Sequence, residues 1–327
     1  IKKLVGDINL NSPKQLAELL YKDLKLPILA ETDNGAPSCN EATLLALGEL
    51  RNLKPRQGEI LKALLEYRTV AKLYTVYLEG LTKNGHLKDD GKVHCDFKIC
   101  GTKTGRLSCS DPNLQNIPRN GDIKKMFISS FRGGSLIQLD YSQMELRILA
   151  HYSNDKNLIR AFKEGRDIHT ETTSKCLHKP YSEVTEEERK IIGKRVNFGI
   201  VYLIGPAGLA SKINCTVDEA KEYIKNWYSE FSGCREWMNE RREMIIDTGK
   251  SPSFNGRVRR LYGASTETGD GREAIRQGTN SPIQGGAGDI TKWSMYRLDR
   301  RLRKEKFKSR VICNVHDAIM VDCPAEE

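Results

Sequence analysis

The hydrophobic period of the chain changes at Asp140. Before it, Ser135 to Leu139 ends in alternating apolar residues and predicts a strand; after it, Met144, Ile148 and Leu149 fall at helical spacing. No backbone passes from one period to the other without a turn, so Asp140 is expected at a strand end. A carboxylate there can hold a metal ion without being neutralised inside a core. Ser142 and Glu145 also have the S-x-x-E spacing of a capping box for the following helix. Taken alone, the stretch is equally well a strand–turn–helix corner with a capping aspartate. A second carboxylate in a similar setting shifts the weight. Val311, Cys313 and Val315 alternate, Ala318 to Val321 is apolar and β-prone, and His316-Asp317 between them reads as the tip of a hairpin.

The 327 residues can bury a large core and suggest two or three domains or lobes. Lys and Arg number 53 against 43 acidic residues, a net +10 that favours a polyanionic partner. No stretch approaches the ~18 consecutive apolar residues of a membrane span, and Ile1-Lys2-Lys3-Leu4 carries no signal-peptide core. The chain starts without Met and reads as a piece of something longer. Its nine cysteines include no C-x-x-C pair, and the odd count argues against a disulfide framework. His94, Cys95, Cys100 and Cys109 come nearest to a zinc cluster, at the wrong spacing for a known finger. Reduced, mostly buried thiols in an intracellular protein are expected instead.

Residues 1 to about 90 predict helices. Ser12-Pro13 is an N-cap with Pro at N1, Ser38 is placed to cap a helix through Leu47, and a third helix runs from about Gln57 to Leu81. Its charged face carries Lys62, Arg68, Lys72 and, past the end, Lys83; a solvated face is the plainer reading of such a run. Lys92 to Cys100 alternates as a strand and leads into a polar, turn-rich stretch from Thr102 to Pro118. There Arg106, Ser108, Asn113, Gln115 and Asn116 could bond phosphate, sugar or base edges. The length of that stretch favours function over mere connection.

Further on, Thr185 and Glu188 form a capping box, and the helix it opens carries Lys190, Lys194, Phe198 and Tyr202 four residues apart. Such spacing keeps all four on one slowly rotating face. Two cations followed by two aromatics suit a nucleoside triphosphate, with charges for phosphates and rings for sugar and base. A core-facing aromatic stripe is the ordinary alternative, but it would not interpose lysines. Thr216 and Glu219 open another helix, Asn255-Gly256 is a two-residue hairpin signal, and helix resumes from Arg272 with Pro282 as a kink or break. Arg276, Asn280 and Gln284 form a polar stripe on it. The basic run from Arg297 to Arg310 reads first as a solvated face, with nucleic-acid proximity the lesser alternative. Neither a P-loop nor a G-x-S-x-G elbow is present.

Together these segments resemble the A-family DNA polymerases, the group of bacterial DNA polymerase I and its phage and organellar relatives. Asp140 to Arg147 resembles the family's first palm motif, Lys194 to Tyr202 its fingers-helix motif, and Val315-His316-Asp317 its second palm motif. Thr104 to Pro118 is similar to the template–primer contact segment, Arg276, Asn280 and Gln284 to a further DNA-contacting helix, and Leu64 to Leu73 to the thumb helix. The resemblance covers nearly the whole chain.

It implies an α+β right-hand fold with an antiparallel palm sheet, helical fingers and a helical thumb. The thumb would occupy 1–90, the palm 91–154 and 271–327, and the fingers 155–270. Asp140 and Asp317, 177 residues apart, would meet in the palm and hold two Mg²⁺ ions with the main-chain carbonyl of Tyr141. Lys194 would meet the triphosphate and protonate pyrophosphate, and Lys190 and His169 would help hold the phosphates. Gln143 also falls on the nucleotide side. Phe198 would pack on the sugar, Tyr202 would guard the templating position, and Glu145 would limit room near the 2′ position. Lys72, Arg106, Asn113, Gln115, Arg276, Asn280, Gln284 and His316 are the implied DNA contacts. The implied partners are primer–template DNA and dNTPs, with no membrane, for a monomer in the cytoplasm of a bacterial or phage-infected cell; an organellar setting stays open.

Three positions depart from the family pattern: Ala318 stands where Glu is usual, Lys190 where Arg is usual, and Leu203 where Gly is usual. None removes a metal ligand. Nothing resembles a proofreading exonuclease or a 5′ nuclease, either of which could lie upstream, and relatives continue past the point matching Glu327. Among other classes, a dead binding module would lack Asp140 or Asp317. A metal-dependent nuclease leaves the Lys194–Phe198–Tyr202 face unexplained. An RNA polymerase relative is nearer, but Glu145 with Phe198 argues for deoxynucleotides.

Overall fold

Local rules hold well over the first ninety residues. Ser12 caps the Pro13–Ala17 helix, which continues as a π-helical turn over Glu18–Asp23. The next helix, Glu41–Gly48, is capped by Asn40 rather than by Ser38: the Asn40 side chain accepts from the Thr43 amide at 2.8 Å. Ser38 is buried and receives the Thr43 hydroxyl at 3.0 Å, a contact that only the folded loop provides. The long third helix runs as an α-helix over Pro55–Lys72, then as a π-helix over Leu73–Glu79. The wider turns rotate the apolar stripe, so Ile60, Leu61 and Leu64 are fully buried while Tyr74, Val76 and Leu78 are exposed.

The computed structural model describes residues 1–82, 86–118 and 122–327; Lys83 lies outside them. The fold is α+β, and the chain forms two compact units. The first is Ile1–Cys95 with Ile117–Phe127, the second Asp96–Asn116 with Ile128–Glu327. Leu16, Leu20, Leu44, Leu47, Ile60 and Leu64 centre the core of the first.

The second unit contains a three-stranded antiparallel sheet. Ala318–Cys323 is central, flanked by Ser135–Asp140 and Arg310–Val315. The register pairs Leu139 with Ile319 and Asp140 with Ala318, while Val315 also pairs with Ala318. His316 and Asp317 are therefore the two turn residues, with His316 at φ +57°. Met295, Leu298 and Leu302, from the C-terminal half of the 36-residue helix Gly269–Lys304, pack on Ile319, Val321 and Cys323. That helix passes through Pro282 without the break that is one of the two expectations there. Proline costs one backbone hydrogen bond, but the residues around it are buried and their packing keeps the segment helical. The larger core joins Leu146, Leu149, Leu158, Ile168, Val196, Ile200, Trp227 and Ile283.

Other local expectations shift by small amounts. The Lys92–Cys100 strand is only Asp96–Lys98, paired with Ser108–Ser110. The Asn255-Gly256 hairpin closes through a three-residue loop. Ser253 N–H donates to Arg257 O, Gly256 N–H donates to Ser253 O, and Gly256 takes φ +82°. The boxes at Thr185/Glu188 and Thr216/Glu219 form as predicted. The Ser142/Glu145 box does not: Gln143, at φ +54°, is the N-cap of Met144–Ser153, and Glu145 turns elsewhere.

The Lys194–Val201 helix ends in a Schellman motif. Leu203 N–H bonds Ile200 O at 2.9 Å, Ile204 N–H bonds Gly199 O at 2.8 Å, and Ile204 packs over Gly199. The left-handed position of this motif is normally glycine, yet Leu203 occupies it at φ +51°. A side chain there crowds its own backbone. Leu203→Gly should accordingly be more stable than Leu203→Ala by about 0.5–1 kcal/mol, the left-handed penalty less the entropy of glycine. Urea melts of the two variants measure this; equal midpoints would mean the position carries no strain.

Candidate functional site

The sheet register brings Asp140 beside the His316-Asp317 turn, because the residue paired with Asp140 is the one following Asp317. Asp140 is exposed, and its side chain has no hydrogen-bond or ion-pair partner among the described residues. The Asp317 side chain is 30% exposed, and among the described residues its one ion pair is with Arg106 Nη2 at 3.5 Å. Two carboxylates at an open sheet end are hard oxygen donors of the kind Mg²⁺ takes, with room left for water and substrate. Among the described residues no group of three or more His, Cys, Asp or Glu side chains is placed to hold a metal. Any ion here would therefore rely on main-chain, water or substrate oxygens as well. The Tyr141 side chain points to the long helix, where its hydroxyl meets Ser294 Oγ at 2.6 Å.

Behind the turn lies a buried ion pair. Arg106 Nη2 donates to Glu145 Oε1 at 2.5 Å, and the Tyr202 hydroxyl approaches the same carboxylate at 3.4 Å. Glu145 is 4% exposed. Burial pushes its carboxyl up, Arg106 opposes that, and the charge of Asp317 adds to it. The Tyr202 phenol is pushed up to about 12, by burial first and then by Glu145. Arg106 reaches this place because the long helix is bare there. A Cβ on Gly285 would come within 2.9 Å of Thr104 O, and one on Gly288 within 3.1 Å of Arg106 Cα. Arg106 Nε is buried without a partner.

Beside this pair opens a cleft of about 890 Å³, lined by Lys190, Lys194, Phe198, Tyr202, Lys212 and Arg276, among others. The four-residue stripe read from the sequence thus faces one space. Lys190 and Lys194 are exposed, and Lys190 meets Glu186 at 3.5 Å. Lys194 Nζ lies 5.9 Å from the Phe198 ring centre, and the His169 ring lies 5.8 Å from it. Burial, reinforced by Arg189 and Lys194 against Asp167, lowers the His169 pKa to about 4, so the ring is neutral at neutral pH. Asn197 fixes its tautomer. Its side-chain oxygen accepts from Trp227 Nε1 and Thr172 Oγ1, so its amide donates to Gly193 O and to His169 Nδ1. The His169 proton is then on Nε2.

Sequence reasoning missed Asp167 and Arg189, which organise this region. Asp167 caps the Ile168–Leu177 helix, takes both a 3.0 Å and a 2.8 Å bond from Arg189, and receives Gln143 Nε2 at 2.9 Å. It ties the turn after Asp140 to the helix that carries Lys190 and Lys194. The Asp-x-x-Thr spacing of Asp167 and Thr170 signalled the cap; nothing local signalled Arg189 or Gln143.

The remaining candidates are dispersed. Asn113 is exposed, and Gln115 donates to Asn314 at 3.2 Å. Arg276 is held by Glu273 at 2.9 Å, and Gln284 is half-buried near Tyr202. Asn280 is buried and donates to Val201 O at 3.0 Å, so it also secures the end of the Lys194–Val201 helix. His316 is exposed at the turn, and Lys72 is exposed in the first unit.

The profile of DNA polymerase family A matches residues 1–327. DNA polymerase I of Geobacillus stearothermophilus is 39% identical over 333 residues, covering 100% of this chain and 37% of the relative. DNA polymerase I of Lactococcus lactis subsp. lactis (strain IL1403) is 39% identical over 334 residues, with the same shares. The chain thus spans little more than a third of the length of these curated relatives. A solved structure described as the POL domain of Pol1 from M. smegmatis, in complex with DNA primer-template and dNTP, superposes with TM-score 0.88 at 31% identity. The match covers 99% of this chain and 56% of that one.

The Asp167 hub has a pH signature. Burial alone would raise this carboxyl, but Arg189 and Thr170 overcome it and hold the pKa at about 2 against an ordinary 3.8. The unfolded chain then binds more protons between these values, so stability present above about pH 4 is lost as pH falls toward 2. Asp167→Asn should be less stable at pH 7 and show a shallower acid dependence in that window. Thermal melts from pH 7 to 2 measure it; parallel curves for both proteins would refute the hub.

Proposed function

Because the chain belongs to DNA polymerase family A, we propose that it is a template-directed DNA polymerase that extends a primer 3′-hydroxyl with deoxynucleotides and releases pyrophosphate. The observation that supports this reading is the register Asp140↔Ala318, which brings the strand end at Asp140 next to the turn that carries Asp317. Beside them lies a cleft lined by Lys190, Lys194, Phe198 and Tyr202. Asp140 and Asp317, with the Tyr141 carbonyl, would hold two Mg²⁺ ions, whose chemistry is to activate the 3′-hydroxyl and neutralise the leaving pyrophosphate.

The chain's own residues do the rest. Phosphoryl transfer of this kind needs positioning and charge neutralisation more than covalent chemistry. Lys194 and Lys190 bring mobile cations to the triphosphate, and Lys194 gives a proton to the departing pyrophosphate. Neutral His169 offers its Nε2–H to a phosphate oxygen. Phe198, braced between Lys194 and His169, takes the sugar, while Tyr202 closes the base end. Glu145, held by Arg106 and Tyr202, fills the space near the 2′ position. Gln143 holds Asp167 and so acts on the nucleotide side through the hub. Arg106, Asn113, Gln115, Arg276, Gln284 and His316, with Lys72 in the first unit, are the proposed DNA contacts, and Asn280 joins them through the helix end that it secures. In the hand description, 1–90 is thumb, 91–154 and 271–327 palm, and 155–270 fingers. We place the protein as a monomer in the cytoplasm of a bacterial or phage-infected cell. No described helix is long and apolar enough to cross a membrane.

Primer extension with dNTPs or rNTPs and Mg²⁺ tests the reading. Asp140→Ala and Asp317→Ala should each abolish extension while primer–template affinity stays within a few-fold; near-wild-type turnover in either would sink it. Primer–template affinity should also fall steeply as salt rises, because cations such as Arg106, Arg276 and Lys72 displace counterions from phosphate. Filter binding from 50 to 200 mM salt measures the slope, and a flat profile would remove the basic residues from the DNA interface.

A further inference from the structure

We propose that Arg106 is an internal counter-cation that occupies Asp317 in the substrate-free protein and so weakens divalent-cation binding at Asp140 and Asp317. The inference rests on the reading above only in taking those two carboxylates as the cation site.

Three observations carry it. First, one guanidinium nitrogen serves two carboxylates far apart in the sequence: Nη2 lies 2.5 Å from Glu145 Oε1 and 3.5 Å from Asp317 Oδ1. The Glu145 arm is short and buried, whereas the Asp317 arm is long and partly open, with Asp317 30% exposed. A cation at Asp317 meets both competition for that oxygen and repulsion from the fixed positive charge. Second, the Arg106 backbone is pinned. Its carbonyl accepts from Thr102 Oγ1 at 2.7 Å, the carbonyl of Gly105 accepts from Lys292 Nζ at 2.9 Å, and Gly285 and Gly288 seat the segment on the long helix. Only the side chain can yield. Third, Arg106 Nε is buried without an acceptor, so the present position leaves the guanidinium incompletely satisfied. Such a group has reason to leave when a better acceptor arrives.

The departure at Ala318 makes the arrangement matter more. The residue paired with Asp140 supplies no charge, so the sheet end has two carboxylates facing one arginine. Glu145, the other acid that Arg106 holds, sets how strongly Arg106 is drawn away from Asp317. It does not act as a ligand.

This division of labour predicts opposite signs for two variants. Mn²⁺ binding to the DNA-free chain, read from the electron paramagnetic resonance of free Mn²⁺, should tighten on the order of tenfold in Arg106→Ala. It should weaken several-fold in Glu145→Gln, because among the described residues Arg106 then has Asp317 as its one anionic partner. A purely structural ion pair predicts losses in both. Arg106→Ala leaves Glu145 buried without its cation and can lose the fold. Arg106→Gln keeps a donor to Glu145 without the positive charge and decides in that event: tighter Mn²⁺ binding supports the inference, and unchanged or weaker binding overturns it. Unchanged or tighter binding in Glu145→Gln, or unchanged or weaker binding in folded Arg106→Ala, overturns the inference. Asp140→Asn and Asp317→Asn separate it from the functional reading: if wild-type Mn²⁺ binding survives both, the cation site itself is misassigned.

Discussion

The pairing of Ser135–Asp140 with Ala318–Cys323 is the constraint on which the site depends. Side chains alternate across a sheet, so a slip of one residue would turn Asp140 to the opposite face and bury polar groups where Ile319 and Val321 now pack. The long helix enforces the register from outside, through Met295, Leu298 and Leu302 against that face. Asp322, at the far end of the central strand, adds a polar lock: it takes hydrogen bonds from Ser129 and from the backbone and side chain of Ser130. Hydrophobic burial thus sets the face, and hydrogen bonds set the position along it.

Around that sheet end, buried polar groups do what apolar packing cannot, which is to fix orientation. Asn197 is fully buried, yet both of its donors and its acceptor are used, joining the Lys194–Val201 helix to His169, Thr172 and Trp227. Removing it would leave several groups unpaired, each at about 1–3 kcal/mol. Asp167 has the same role closer to the carboxylates. The Lys194 and Phe198 side chains owe their positions to these two residues as much as to helical spacing.

Burial also explains the division between Asp140 and Glu145, two acids five residues apart. Asp140 sits at an exposed strand end and remains free to bind. Glu145 is buried on the next helix, where an unpaired charge would be untenable, and Arg106 and Tyr202 gather on it. One acid is therefore available to a ligand, while the other organises its neighbours.

Much of this was legible in the sequence wherever the deciding contacts are local. The Thr185/Glu188 and Thr216/Glu219 boxes, the strand ending at Asp140, the hairpin around His316-Asp317 and the Lys190–Tyr202 stripe all rest on residues within one or two turns of each other. Expectations shifted where a distant group competed. Ser142 and Glu145 have the spacing of a cap, but a left-handed Gln143 starts the helix and Arg106, 39 positions away, takes the carboxylate. Ser38 lost its cap to Asn40 once its hydroxyl was buried, and Pro282 stays helical because the core holds its flanks. Arg189 and Gln143 gave no sign of sharing Asp167, since nothing in their own neighbourhoods requires it. Periodicity and capping depend on backbone geometry a few residues long and can be read from the chain. The partner of a buried charge depends on which surfaces meet when the core closes, and only the tertiary structure decides that.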